Sequence, residues 1–410
     1  MDTLLFTPIT MNLAETTRMI EVARALPDYR CVFMGYEDDW AHLISQAGFE
    51  YRACEPSWSA EQKRQALALD QLRSLRHPFS PALVDARVRR ERDIIADLNA
   101  RAVIMGMNIT SAISARAEGV PLFFAVPFAM TGPHMRQSRH LGIVPGRGYA
   151  QRFADRALSS LLRAAYVHAP LAPRSFSTIA RRHEVEPALT LPALLTADVN
   201  MLAVMPDELE GYSLPENFTR IGPIFAHIDT PLPDFIHDLA DSSRPVVYLG
   251  LGSSANKDFA LRAAANIAEM NIEVIAPIRH YFGDDYAAAA QLPPNVHVTD
   301  ILPAHQLGGL VDAAVLHGGQ GTIQTACTTG IPFVGMGLQI EQRWNVQVCV
   351  KRGNALALSP RHVGTSALQQ ALQTVLSRRR FREAASTVRQ AFAHEDGAHA
   401  AAQVIRQALA

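Results

Sequence analysis

Apolar and polar positions alternate in short blocks along the first half of the chain. Thr3 to Phe6 is an apolar run ended by Thr7-Pro8, which reads as a strand and its turn. From Thr16 to Leu26 the residues Met19, Ile20, Val22, Ala23 and Leu26 recur at helical spacing. Cys31 to Gly35 is a second apolar run, Trp40 to Ala47 a helix, and Gly48 its stop. Ala102 to Met105, Ser111 to Glu118 and Leu122 to Val126 repeat the strand, helix, strand order. Residues 59 to 99 read as long helices, with Arg87 to Arg92 a charged patch. A second α/β series starts late in the chain. Val246 to Leu249, Ile272 to Ile275, Val296 to Val298, Ala313 to Leu316 and Pro332 to Met336 are strand candidates. Phe259 to Met270 and Thr322 to Thr329 are helices.

Strands alternating with helices imply mostly parallel sheets covered by helices on both faces. Between the two series lie Gly222-Pro223, Pro231-Leu232-Pro233 and Asp241-Ser242-Ser243-Arg244-Pro245, a punctuated stretch that reads as a linker. The expected organisation is an α/β fold of two Rossmann-like domains in sequence, residues 1–225 and 246–410, joined by 226–245. A chain of 410 residues is long enough for two such cores.

Composition narrows the class. Hydrophobic residues make up 48% and charged residues 19%, as in an ordinary globular protein. A net charge of -1 gives no reason to expect a nucleic-acid partner. Cys31, Cys54, Cys327 and Cys349 have neither metal-ligand spacing nor a disulfide framework, which fits a reducing cytoplasm. The N-terminus has no basic stretch of the signal-peptide kind, and no apolar run is long enough to span a bilayer. One region departs from this average. Residues 135 to 182 hold nine arginines and a single acid, Asp155, with Leu158, Leu161, Leu162 and Ala165 at helical spacing. Two readings stand: a solvated amphipathic helical cap, or a surface for an acidic membrane or a phosphorylated acceptor.

Candidate chemistry concentrates near the end of the second series. Ala313 to Leu316 runs into His317-Gly318-Gly319-Gln320-Gly321-Thr322 and then a helix. A strand, a glycine-rich turn and a helix N-terminus make an anion site, because free N–H groups and the helix dipole favour a phosphate. His317 at the strand end could donate to the same phosphate. Glu341-Gln342, a carboxylate beside an amide, suits the hydroxyls of a sugar. Gly250-Leu251-Gly252-Ser253-Ser254-Ala255 also follows a strand. Alone it has the form of a dinucleotide fingerprint, but Arg279 stands where the ribose-binding acid would be. Ser253 and Ser254 suit a diphosphate better.

These residues resemble the donor-binding signature of the family 1 UDP-sugar glycosyltransferases. The family pattern is His-x-Gly-x-x-Ser/Thr, a Gly-x-Pro strand, Asp/Glu-Gln and an Asn. Here it is met by His317, Gly319, Thr322, Gly330-Ile331-Pro332, Glu341-Gln342 and Asn345. The resemblance implies the GT-B architecture, two Rossmann-like domains facing a central cleft. The acceptor would bind mainly to the first and the nucleotide sugar to the second, and the last helix could return to the first. It implies diphosphate contacts from Ser253, Ser254, His317, Gly318, Gly319, Gln320, Gly321 and Thr322. The sugar would meet Glu341 and Gln342. Ile301 and Leu302 stand in the nucleobase loop and Thr325 in the ribose place. Ile301 replaces the family's usual Trp, so the base is less defined than the diphosphate: UDP first, dTDP next.

The first domain departs from the family. The place of the usual base histidine falls on Glu15, and that of its supporting Asp near Gly106. Glu15 is either the base, with a pKa raised by burial, or simply an acid favouring a helix N-terminus. Asn12, Asn108 and His134 are acceptor-contact candidates, and His134 or His140 could reach the cleft. Phe123, Phe124, Phe128, Met130 and Met135 are either core or a pocket for a hydrophobic or lipid acceptor. The implied reaction is inverting transfer of a hexose, without metal (no Asp-x-Asp motif) and without a cofactor beyond the nucleotide-sugar co-substrate. The location is cytoplasmic, with or without peripheral membrane contact. Two alternatives stay open: a nucleotide-sugar-binding auxiliary protein without catalysis, and an epimerase of similar architecture.

Overall fold

The computed structural model describes the chain apart from residues 71–72, 75, 139–140, 142–143, 145–147 and 284–290 and the side chains of 67, 70 and 240. His140, Arg139 and Arg147 therefore lie outside the described residues. The chain forms two compact units, Met1–Phe225 with Asp396–Ala410, and Ala226–Glu395.

The first unit is built on seven parallel strands: β1 (Thr3–Thr7), β2 (Arg30–Gly35), β3 (Glu50–Ala53), β4 (Ala100–Met105), β5 (Leu122–Ala125), β6 (Val199–Leu202) and β7 (Phe218–Arg220). Their order in the sheet is β3-β2-β1-β4-β5-β6-β7. β1 is buried at every position, as expected of a strand covered on both faces. The second unit holds β8 (Val246–Gly250), β9 (Glu273–Ala276), β10 (Val296–Val298), β11 (Ala313–Leu316), β12 (Phe333–Gly335) and β13 (Ala355–Ala357). They are ordered β10-β9-β8-β11-β12-β13, again all parallel.

Both sheets reverse direction once. The first is built outward from β1 through β2 and β3, then resumes at β4 on the other side of β1. The second does the same at β8 and β11. Loops leaving the carboxyl ends of two such neighbours diverge to opposite faces and open a crevice, where open α/β sheets bind ligands.

One expectation is corrected here, and one is given detail. The segment expected as a linker belongs to the second unit. It carries a helix, Asp234–Ala240, and buries Leu232 and Ile236. The charged patch Arg87–Arg92 is divided between surface and interior, with Arg89 and Arg90 exposed. Arg87 and Glu91 lie four residues apart on the inward face of the helix Pro81–Asp97, and both are buried. Charge in the sequence does not reveal this, because burial depends on partners that come from elsewhere in the chain.

The last helix, Gly397–Leu409, completes the first unit. Ala401, Ala402 and Ile405 share a core with Leu4, Phe6, Met19 and Leu26. Arg406 donates to Asp28 and to the carbonyl of Ala25 at 2.9 Å. Gly397 N donates to Pro223 O at 3.0 Å, and a side chain at Gly397 would collide with the carbonyls of Gly222 and Pro223. Ile405→Ala is expected to cost about 2–4 kcal/mol. Amide exchange should quicken in β1, β2 and β4 and not in β8 to β13; faster exchange in the second unit instead would contradict the assignment of this helix.

Candidate active site

In the second unit the residues singled out by sequence meet at the β8/β11 switch point. The backbone N–H of His317 donates to Gly250 O at 3.1 Å, and its Nδ1 lies 3.1 Å from the same oxygen. A carbonyl only accepts, so Nδ1 carries a proton. The ring is buried between Gly252 and Gly319, and a Cβ at either would collide with it. Burial lowers the His317 pKa to about 4, against a weaker raising effect of the Gly250 carbonyl. The ring is therefore neutral at pH 7, and its Nε2 holds a lone pair. The expectation that His317 donates to phosphate needs this correction: it donates from Nε2 only as imidazolium.

After His317 the chain turns through Gly318, which has a φ of +91°. The helix Gln320–Thr329 then starts with Gly319 as N-cap and no side-chain cap. Ile323 N is the first to bond back, to Gly319 O at 3.0 Å. The N–H groups of Gln320, Gly321 and Thr322 thus have no intrahelical acceptor. The Thr322 hydroxyl donates to Gly319 O and the Thr325 hydroxyl to Gly321 O, both at 2.9 Å. Ser253 and Ser254 sit in a short turn, Gly252–Ser254, just past β8. Tyr281, which the sequence reading did not single out, anchors that turn by donating to Gly252 O.

Glu341 and Gln342 open the helix Ile340–Arg352. Gln342 is buried, and its amide is committed internally. The oxygen accepts from Leu338 N at 3.0 Å and Gln339 N at 3.3 Å. The nitrogen donates to Ser254 Oγ at 2.8 Å and to the Gln339 side chain. This residue ties the loop after β12 to the turn after β8, instead of presenting a free amide to a sugar. Glu341 is half-buried and accepts from Asn345 Nδ2, which also donates to Gly318 O at 3.0 Å. Ile301 is half-buried and Leu302 buried, just before the turn Ala304–Gln306.

In the first unit the β1/β4 switch point is occupied by Glu15. Its Oε1 accepts from Ile9 N at 2.7 Å and Met107 N at 2.9 Å, one amide from each diverging loop. Only glycine fits at 106, since a Cβ there would overlap Oε1. Burial raises the Glu15 pKa, opposed by these two hydrogen bonds and by Arg18. Among the described residues Oε2 has no hydrogen-bond partner. Glu15 also lines a narrow apolar pocket with Met19, Met105, Phe124, Met201 and Ile224. Of the aromatic set expected as core or pocket, Phe124 lines this space, whereas Phe123 lies in the core.

The acceptor candidates are otherwise engaged. Asn12 caps the helix Leu13–Arg24, its Oδ1 accepting from Glu15 N at 3.2 Å. Asn108 is buried, donating to Glu91 Oε1 at 3.2 Å and to Ser111 at 3.1 Å. Glu91 also accepts from Tyr36 at 3.1 Å, Thr110 at 2.6 Å and Ser114. Next to it Arg87 donates to Glu37 at 3.0 Å and lies 3.9 Å over the Tyr36 ring. His134 is buried against Phe128 and stacked on Tyr212, and burial lowers its pKa to about 4. Asn108 and His134 thus serve the interior of the unit. Among the described residues no group of three or more His, Cys, Asp or Glu side chains converges as a metal site.

The profile of the EryCIII-like C-terminal domain (Erythromycin biosynthesis protein CIII-like) matches residues 262–406. A PGL/p-HBAD biosynthesis glycosyltransferase of Mycobacterium tuberculosis is 26% identical over 311 residues, 74% of this chain and 70% of that protein. The solved structure of the spinosyn forosaminyltransferase SpnP superposes with a TM-score of 0.70 at 16% identity, covering 100% of this chain and 99% of that one. Glycosyltransferase VinC in complex with dTDP gives 0.67 at 18% identity, covering 98% of each. The two parallel-sheet α/β units have the GT-B fold, and the named relatives make the chain a glycosyltransferase. These matches support the resemblance to the family 1 glycosyltransferases.

The two buried histidines set a pH dependence. Folded, they resist protonation down to about pH 4, below the ordinary value of 6.5. The unfolded chain takes up these protons first, so their contribution to stability is complete above about pH 6.5 and is lost as pH falls towards 4. Glu15, Glu37 and Glu91, raised by burial, act in the opposite sense. Variant comparison isolates the histidines. Between pH 7 and pH 5, His134→Gln and His317→Gln should each lose on the order of 2 kcal/mol less stability than the parent in urea unfolding. An unchanged loss in both variants would contradict the buried neutral state.

Proposed function

We propose that this enzyme transfers a hexose from a nucleoside diphosphate sugar to a hydroxyl of a small hydrophobic or lipid acceptor, with inversion and without metal. The reading rests on one observation: the helix Gln320–Thr329 starts without a side-chain cap beside His317 at the end of β11, so the N–H groups of its first turn have no acceptor within the helix. Departure of the nucleotide builds negative charge on the diphosphate. Preorganised N–H donors and the positive end of a helix stabilise that charge. Ser253 and Ser254 would add donors from the loop after β8. Glu341 is then the candidate for sugar hydroxyls, and Gln342 keeps the two loops in register. VinC carries dTDP, and this moves thymidine ahead of uridine as the nucleobase, with Ile301 and Leu302 as its apolar contacts.

Glu15 is the proposed base. Two amide donors fix Oε1, which leaves Oε2 to accept the acceptor hydroxyl's proton as that oxygen attacks the anomeric carbon. Burial moves the carboxyl towards a pKa at which a base is effective near neutrality. The apolar pocket lined by Met19, Phe124 and Met201 suits an acceptor with a hydrophobic body.

Substitution separates the two roles. His317→Ala should weaken dTDP or UDP binding about tenfold or more in calorimetry. Parent protein should also take up a proton on binding, because donation from Nε2 requires imidazolium. Unchanged affinity would remove His317 from the phosphate site. Glu15→Gln retains an oxygen acceptor for Ile9 and Met107. It should lower turnover by about 10²–10⁴ while leaving diphosphate affinity intact. Turnover within a few-fold of the parent would exclude Glu15 as base.

A further inference from the structure

The helix Tyr149–His168 is amphipathic with its apolar side outward. The residues it buries include Asp155 and Ser159. They receive the preceding segment: Asp155 Oδ1 accepts from Val144 N and Ser159 Oγ from Leu141 N, both at 3.0 Å. Tyr149, Phe153 and Leu161 are 94%, 76% and 68% exposed, and Leu158 and Leu162 are exposed as well. Tyr149, Phe153, Ala157 and Leu161 follow one another at four-residue steps and form a single stripe along the helix. Burial of apolar area alone would have turned this stripe inward. The polar contacts to residues 141 and 144 hold it outward.

Charge on the outer side has one sign. Arg152, Arg156 and Arg163 flank the stripe on one side, and the helix's one acid, Asp155, is turned in. Among the described residues neither Arg152 nor Arg156 has a carboxylate partner. Aromatic and leucine side chains along one line, with arginines beside them, fit a helix lying in a membrane interface. The apolar stripe enters the acyl boundary and the guanidinium groups meet lipid phosphates. A second copy of the chain would face arginine with arginine. Among the described residues no helix is long and apolar enough to cross a membrane, so the contact is peripheral.

We propose that the outward face of Tyr149–His168 docks the first unit on anionic lipid bilayers. None of its residues belongs to the donor loops or lines the pocket beside Glu15, so the contact can fail without affecting the transferase reading. Full-length protein would be co-sedimented with vesicles of phosphatidylcholine alone and of equimolar phosphatidylcholine and phosphatidylglycerol. Binding should be confined to the anionic vesicles and weaken with added salt. Phe153→Asp with Leu161→Asp, and separately Arg152→Glu with Arg156→Glu, should each reduce it by roughly tenfold or more with dTDP affinity unchanged. These positions are exposed, and an unaltered melting curve would show that the variants fold. Equal binding to both vesicle types, binding unaffected by the variants, or no binding would overturn the proposal. So would a dimer in solution that Phe153→Asp with Leu161→Asp dissolves, which would assign the face to protein association.

Discussion

The reversal of strand order in each sheet is the constraint on which the sites depend. At β8 and β11, as at β1 and β4, two adjacent loops leave for opposite faces and their backbone polar groups face a crevice. Such groups need partners. In each unit one buried side chain at the switch point supplies such partners. His317 reaches back to Gly250 O, and Glu15 takes one N–H from each loop. The bridging group is neutral and cation-forming in the donor unit, and acidic in the other. This chemical asymmetry follows the proposed division of labour, one crevice for a leaving anion and the other for a nucleophile's proton.

Glycine placement protects these bridges. The His317 ring occupies space that side chains at 252 and 319 would take, and Glu15 occupies the space of a side chain at 106. The same packing explains the pKa directions. Burial opposes charge on both groups, so His317 is neutral when empty and the Glu15 carboxyl is raised. A site of this kind is poised. An incoming diphosphate would draw a proton onto His317, and a hydroxyl beside Glu15 would find a stronger base than an exposed carboxylate.

Much of this was legible in the sequence. β10 and β11 stand where their apolar runs placed them, and the helix after Gly319 starts two residues before the expected Thr322. Periodicity works there because strand and helix are buried locally. The short strands β3, β6, β7 and β13 carry weak patterns and were not expected. Side-chain roles were harder to read. Gln342 matches the family signature, yet its amide is consumed by Ser254, Leu338 and Gln339, partners set by folding. Asn108 became a partner of Glu91 for the same reason, and Arg87 and Glu91 read only as part of a charged patch, with their buried partners Glu37, Tyr36 and Asn108 not legible. Residue type marks capacity for hydrogen bonding, and tertiary context decides where that capacity is spent.

The most direct test of the donor site is amide hydrogen exchange of the full chain with and without dTDP, UDP and NADPH. Slowed exchange at the amides of Gln320, Gly321 and Thr322, and around Ser253 and Ser254, is expected with dTDP or UDP and not with NADPH. Protection absent from Gln320–Thr322 under saturating dTDP and UDP, or produced by NADPH alone, would contradict the assignment of the β8/β11 crevice to a sugar nucleotide.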